Sequence, residues 1–310
     1  QSVVIWTRQQ RQVKDFIQDT LTRDSEEFDG GISNTTLKLL ISGCFGSGKT
    51  LMLSEAAKFF CEANKNSRKV VYVIFDMKGD TFLLNKQLQA SYEADEVTKG
   101  RIRVCNLAAF NAQAHCCQLG FILSQGTVDL LLLDEYFFNF GPGLICNAHD
   151  TVPNILITTR YKMSPDLWET RLGPGFVQLE LNGNVRSSPG ICKYISKVEN
   201  VEVWSDQICR DPVALTLDHN VRGRSTIQEI ELSTVLGPSF VCETVLSKIH
   251  YIRQKDEKEN IYVITNTVKE EFLQVLSPEL ENLGIPFGNV RYFFGCEAST
   301  VVYIGRKKDD

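Results

Sequence analysis

Residues 39–50 read Leu-Leu-Ile-Ser-Gly-Cys-Phe-Gly-Ser-Gly-Lys-Thr. This is a short apolar run followed by G-x-x-x-x-G-K-T from Gly43 to Thr50, and no other stretch restricts the fold so tightly. Phosphate binding needs this arrangement. Glycines at Gly43, Gly46 and Gly48, with Ser47 among them, let backbone N–H groups turn inward around a β-phosphate; Lys49 reaches the β and γ oxygens, and the Thr50 hydroxyl ligates Mg²⁺. Leu51 to Cys61 follow with apolar positions at Met52, Leu53, Ala56, Phe59 and Phe60, a helical spacing. The loop is therefore expected at a helix N-terminus, where the helix dipole also favours anions.

Such a loop calls for an acidic residue at the end of a buried parallel strand. Val128-Asp129-Leu130-Leu131-Leu132-Leu133-Asp134-Glu135 supplies it: a continuous apolar run, as in a strand covered on both faces, and then two adjacent carboxylates. Asp134 is expected to hold Mg²⁺ through water and Glu135 to orient and deprotonate an attacking water.

Short β-branched runs recur at Leu37–Ser42, Val70–Phe75, Ile102–Asn106, Leu130–Leu133 and Ile155–Thr159, with helical stretches between most of them. The alternation predicts an α/β fold, a parallel sheet with covering helices. The same grammar restarts at Phe176–Leu181 and continues through Ile261–Thr265 and Val301–Ile304, with helical segments near Pro189–Val198, Ser239–Gln254 and Val268–Leu283. No second phosphate loop occurs there. At roughly 150 residues per domain, 310 residues make two domains. The Arg171–Gly175 stretch, Arg-Leu-Gly-Pro-Gly, is the expected boundary, dividing the chain into 1–175 and 176–310.

Composition narrows the function classes. With 43% hydrophobic and 23% charged residues, disordered, collagen-like and coiled-coil readings are poor. The 33 Lys and Arg against 38 Asp and Glu give a net charge of −5, which excludes a basic-tail nucleic-acid binder, so any nucleic-acid contact must be local. The ten cysteines include no Cys-x-x-Cys pair, and the reading is of a reduced, intracellular protein. No apolar run approaches the roughly 18 residues that span a bilayer, no secretory leader is read at the start, and no membrane is expected as a partner. Opening at Gln1 and closing on Arg306-Lys307-Lys308-Asp309-Asp310, the chain reads as a piece of something longer, with flanking domains or protein partners elsewhere.

The order of motifs resembles that of superfamily 1 helicases, Schlafen-type helicase-like domains the nearest subgroup, over most of the chain from about Trp6 to Ile304. The resemblance implies two RecA-like domains of the P-loop NTPase kind, the second truncated, with ATP and Mg²⁺ in the cleft between them and single-stranded DNA or RNA as a partner. Trp6-Thr7-Arg8-Gln9-Gln10-Arg11-Gln12-Val13 is similar to the family's Q motif, in which Gln10 takes the place of the glutamine that reads adenine; the alternative is a Gln-rich helix start. An amide can donate and accept on the adenine edge together. Val71–Lys78 and Val104–Phe110 lie where the family's first nucleic-acid-contacting motifs fall. Leu179–Ile191, with Asn184-Val185-Arg186-Ser187-Ser188 at its centre, resembles the motif whose arginine crosses to the γ-phosphate, a role that suits the permanently charged guanidinium fork. Arg222, in Asn220-Val221-Arg222, is the runner-up. Phe294–Ile304 resembles the family's Lys-Gly-x-Glu motif; Gly295 and Glu297 carry over, Glu297 to the ribose, whereas Phe294 stands where the lysine belongs.

Departures weaken the motor reading. Where the family has Gly-Asp-x-x-Gln, this chain has Ile155-Leu156-Ile157-Thr158-Thr159-Arg160. That segment looks like the sensor of STAND-type ATPases, in which the arginine, here Arg160, senses the γ-phosphate. The family's last arginine motif is absent, and the spacing leaves no room for the large accessory domains that help unwind duplexes. Three functions follow: a nucleic-acid-associated ATPase, a STAND-like signalling switch, and a helicase-fold scaffold with little turnover.

Overall fold

A computed structural model of the chain describes residues 6–26, 36–43, 46–64, 69–76, 82–108, 112–136, 148, 151–159, 161–162, 169–170, 172–183, 211–212, 238–255, 257, 259–265, 270–289 and 300–304. Contacts divide the chain into two compact units, Gln1–Gly79 with Gln87–Ile227, and Asp80–Lys86 with Gln228–Asp310.

After an opening helix α1 (Arg8–Glu26), strand and helix alternate: β1 (Lys38–Gly43), α2 (Lys49–Ala63), β2 (Val70–Asp76), α3 (Phe82–Glu93), β3 (Ile102–Ala108), α4 (Ala112–Ser124), β4 (Leu130–Asp134) and β5 (Asn154–Thr159). The two-residue β6 (Tyr161–Lys162), then β7 (Val177–Leu181) and the two-residue β8 (Asp211–Pro212) follow, β6 pairing antiparallel with β8. The main sheet has six strands in the order β3-β2-β4-β5-β1-β7, every neighbouring pair parallel. This is the α/β architecture expected from the alternation. Leu39 to Ile41, Leu130 to Leu133 and Ile155 to Ile157 are all fully buried, which explains why these strands read as unbroken apolar runs. Each such side chain contributes about 1.5–3 kcal/mol of burial. One face of the sheet forms a core of Val71, Val73, Leu131, Leu133, Ile155 and Ile157 with Phe75 and Tyr136, whose rings meet edge to face at 5.0 Å.

The boundary expected near residue 175 is corrected. Val177–Leu181 is no first strand of a second domain; it pairs along β1, Leu39 opposite Val177 and Gly43 opposite Leu181. A Gly-Pro-Gly turn marks a crossover into the same sheet as readily as a linker between sheets, so composition alone misplaces the division. The expected helix at Pro189–Val198 lies outside the described residues.

Asn154 ties three strand starts together. Its Oδ1 accepts from Leu37 N at 3.0 Å, and its Nδ2 donates to the Asp129 carbonyl at 3.0 Å, joining the entries of β1, β5 and β4. Asn154→Leu keeps the volume and orphans both backbone groups. It is expected to lower the unfolding free energy by about 2–4 kcal/mol in urea titration.

The second unit holds a three-stranded parallel sheet, β10-β9-β11, from β9 (Ile261–Thr265), β10 (Phe287–Asn289) and β11 (Thr300–Ile304). Helices α5 (Pro238–Lys255) and α6 (Glu270–Asn282) supply Val241, Val245, Ile249, Leu276 and Leu280 to its core, against Ile261 and Val263. Among the described residues, no helix is long and apolar enough to cross a membrane.

Candidate functional site

Because the sheet is parallel, β1, β4 and β5 all end at the same edge, with β5 between the other two. Ligands of open α/β sheets bind outside such carboxyl ends. The Gly-rich loop leaves β1 there and enters α2 at Lys49. Gly46 and Gly48 hold positive φ of 67° and 92°, a region that costs any side chain. A Cβ on Gly43 would meet Ser47 Oγ at 2.7 Å and the Leu181 carbonyl at 2.8 Å, so the loop is packed tightly against the end of β7.

Within that loop, Lys49 is 5% exposed and donates from Nζ to the Gly43 carbonyl at 2.9 Å. Ser47 Oγ is buried and has no hydrogen-bond partner among the described residues. Burying a hydroxyl without a partner is costly, and a phosphate oxygen is one acceptor that would satisfy it.

The acidic half of the site is organised around Asp134, which is completely buried. Its Oδ2 accepts from Thr50 Oγ1 at 2.8 Å and from Tyr72 Oη at 2.9 Å; its Oδ1 accepts from Thr158 Oγ1 at 2.6 Å and from Glu135 N at 3.1 Å. Four donors match the four lone-pair positions of a carboxylate. Register explains who can reach it. Asp134 lies beside Ile74 in β2, and Tyr72, two residues earlier, points to the same face, so its long ring spans the interval. Burial raises the Asp134 carboxyl above the usual range, the adjacent Glu135 charge raises it further, and the bonds from Thr158, Thr50 and Tyr72 partly oppose both. Tyr72 is itself pushed well upward, by burial first and then by the Asp134 charge, so it remains a donor.

Glu135 is the one non-glycine residue with positive φ among the described residues, at 57°. Thr158 holds that turn. Its hydroxyl accepts from Glu135 N at 3.1 Å while donating to Asp134, and its carbonyl accepts from Tyr136 N at 2.8 Å. A strained residue persists where its surroundings over-determine it, and such residues cluster at functional sites.

Thr50 and Asp134 are hard oxygen donors whose oxygens already lie 2.8 Å apart. They fit Mg²⁺, which takes one or two protein oxygens and completes its shell with water and substrate phosphates. A cage of three or more His, Cys, Asp or Glu side chains does not occur among the described residues, and this kind of site does not require one.

The structure thus brings Gly43, Gly46, Ser47, Gly48, Lys49 and Thr50 together with Asp134 and Glu135. Gln10 is also at the loop, but 3% exposed, with its amide bonded to Ser47 O and Thr7 N. Arg160, Arg186, Arg222 and Glu297 lie outside the described residues. Sequence reasoning missed Tyr72 and Thr158. Thr158 had a signal, as a hydroxyl at the end of a buried strand; Tyr72 had none without the register. Tyr72→Phe removes one donor from a buried carboxylate and is expected to lower stability by about 1–3 kcal/mol in thermal or urea unfolding.

No protein-family model matches the chain. No curated protein matches it either. Among solved structures it is similar to one described as the structure of C. elegans PCH-2, with 15% sequence identity and a TM-score of 0.30, over 61% of this chain and 48% of that one. The chain therefore spans about half the length of that protein, and a likeness at this score says nothing about site or activity.

Proposed function

We propose that the chain is a Mg²⁺-dependent ATPase with a helicase-like core. The observation that carries this reading is the 2.8 Å contact between Thr50 of the Gly-rich loop and Asp134 at the end of β4. It joins a phosphate-shaped loop to a buried acid across an intervening strand, the arrangement that nucleoside triphosphate hydrolysis needs. In this reading the loop N–H groups and Ser47 Oγ hold phosphate oxygens, and Lys49 exchanges the Gly43 carbonyl for the β and γ oxygens. Thr50 and Asp134 hold Mg²⁺, which would neutralise charge developing on the transferred phosphoryl group. Glu135 orients the attacking water and takes its proton. Arg186, with Arg160 and Arg222 as the other candidates, supplies the guanidinium that stabilises the γ-phosphoryl charge.

Single-stranded DNA or RNA enters this proposal through motif order alone. One observation favours the second reading, a STAND-like switch: Thr158, inside the Ile155–Arg160 segment, bonds directly to Asp134 and to Glu135 N, so β5 is wired to the acidic pair and suited to sensing phosphate state. ATP hydrolysis measured with and without single-stranded DNA and RNA, alongside sedimentation with ADP and with ATP, separates the two. Stimulation by nucleic acid is expected of the first; unchanged turnover with nucleotide-dependent assembly would establish the second. Absence of ATP binding would remove both.

A further inference from the structure

We infer that Gln10 is a positioning residue that braces the phosphate loop, and that it does not read the nucleotide base. The inference rests on the nucleotide site proposed above for what is bound, and on the geometry around Gln10 alone for what that residue does.

Both polar atoms of the side chain are committed to protein. Oε1 accepts from Thr7 N at 3.0 Å, and Nε2 donates to the Ser47 carbonyl at 2.9 Å. A backbone N–H can only donate and a carbonyl can only accept, so these two partners fix which way the amide points. Gln10 N in turn donates to Thr7 Oγ1 at 3.1 Å. Thr7 and Gln10 therefore form a reciprocal capping box at the start of α1, Thr-x-x-Gln, in which each side chain satisfies the other's backbone N–H. The same glutamine carries that cap onto the loop. Contact is close: a Cβ added to Gly48 would lie 2.5 Å from Gln10 Nε2.

Reading adenine needs a donor and an acceptor presented together on an open edge. Gln10 is 3% exposed, so the second N–H and second lone pair that its amide keeps beside these two bonds are not presented on an open edge. Its neighbour is engaged as well, since Gln9 Oε1 accepts from Asn182 N just beyond β7. Val13, Ile17 and Leu21 bury the same side of α1, which fixes the helix that presents both amides. The two glutamines fasten the loop and the β7 exit to one helix end. Base identity is then not selected through Gln10, and ATP and GTP depend on it alike.

Two variants test this. Gln10→Met is neutral and near in size, and it cannot brace the loop. Affinities are measured by calorimetry for ATP, GTP and inorganic tripolyphosphate, which has no base. The expected result is a loss of about tenfold for each of the three, the ATP to GTP ratio holding within about twofold. Gln10→Glu keeps the acceptor that caps α1 and removes the donor to Ser47. In nucleotide-free protein, hydrogen exchange of the amides of residues 46–50 is expected to quicken about tenfold or more while the interior of α1 is unchanged. A selective loss for ATP, with GTP and tripolyphosphate unaffected, would overturn the inference, as would unchanged exchange in the loop of Gln10→Glu. If wild type binds none of the three ligands, the nucleotide site is what fails, and the exchange measurement still decides the brace.

Discussion

Glu135→Gln is expected to bind ATP as wild type does and to hydrolyse it more slowly by a factor of about 10²–10⁴, the usual weight of a positioned general base. Binding survives because the groups assigned to phosphate, Lys49 and the loop, are untouched. Metal binding survives for an electrostatic reason: the Glu135 charge is one of the causes that raise the Asp134 carboxyl, so neutralising it makes Asp134 easier to ionise. Glutamine inherits the left-handed backbone of Glu135 (φ 57°) and its strain. Glycine would not, and Glu135→Gly is expected to be as inactive while gaining about 1 kcal/mol of stability in urea unfolding. Single-turnover measurement with excess enzyme separates chemistry from product release; full activity in Glu135→Gln would remove Glu135 from the base role.

Asp134→Asn is the second large effect. It keeps shape and volume but replaces an acceptor of four bonds by a group that is half donor. Magnesium-dependent tightening of ATP is expected to disappear, and turnover to fall by a factor of about 10²–10³. Stability should move little, within about 1 kcal/mol, because two effects oppose one another. A carboxyl raised in the folded protein is one whose charge the fold disfavours, so removing the charge relieves that cost; the amide N–H₂ then faces donors, and hydroxyls must rotate to accept from it. Titration of ATP affinity with and without Mg²⁺, set beside urea unfolding of the metal-free protein, reads both at once. An unchanged response to Mg²⁺ would place the metal elsewhere.

The parts of the site that could be read from the sequence are those whose geometry is local. Gly43 to Thr50 lie within eight consecutive positions, and the strand before and helix after them announce themselves by period, so the loop was legible outright. Leu130 to Glu135 was legible for a similar reason: a strand buried on both faces has no alternation to confuse it, and its acids stand at its end. Tyr72 was not, because its reach to Asp134 depends on β2 lying beside β4 in one register. Thr158 was read as part of a strand and of a sensor-like segment, with no role of its own, although its place at the end of β5 puts its hydroxyl against the acid. Gln10 was legible in part: the glutamine lies at the loop, and the Thr-x-x-Gln spacing that caps α1 there is a helix-start signal readable without any structure. The domain division failed at Val177–Leu181, since nothing local distinguishes a strand that returns to β1 from one that begins a new sheet.

That the Gly43–Thr50 loop holds Mg²⁺-ATP is decided by ATP binding to wild type and to Lys49→Ala, each with and without Mg²⁺. Lys49 is buried in the loop, donates to the Gly43 carbonyl, and precedes the Thr50 that meets Asp134. Wild type is expected to bind ATP, more tightly with Mg²⁺, and Lys49→Ala to lose at least about tenfold in affinity while remaining folded. Equal binding by both proteins, or none by wild type, would contradict it.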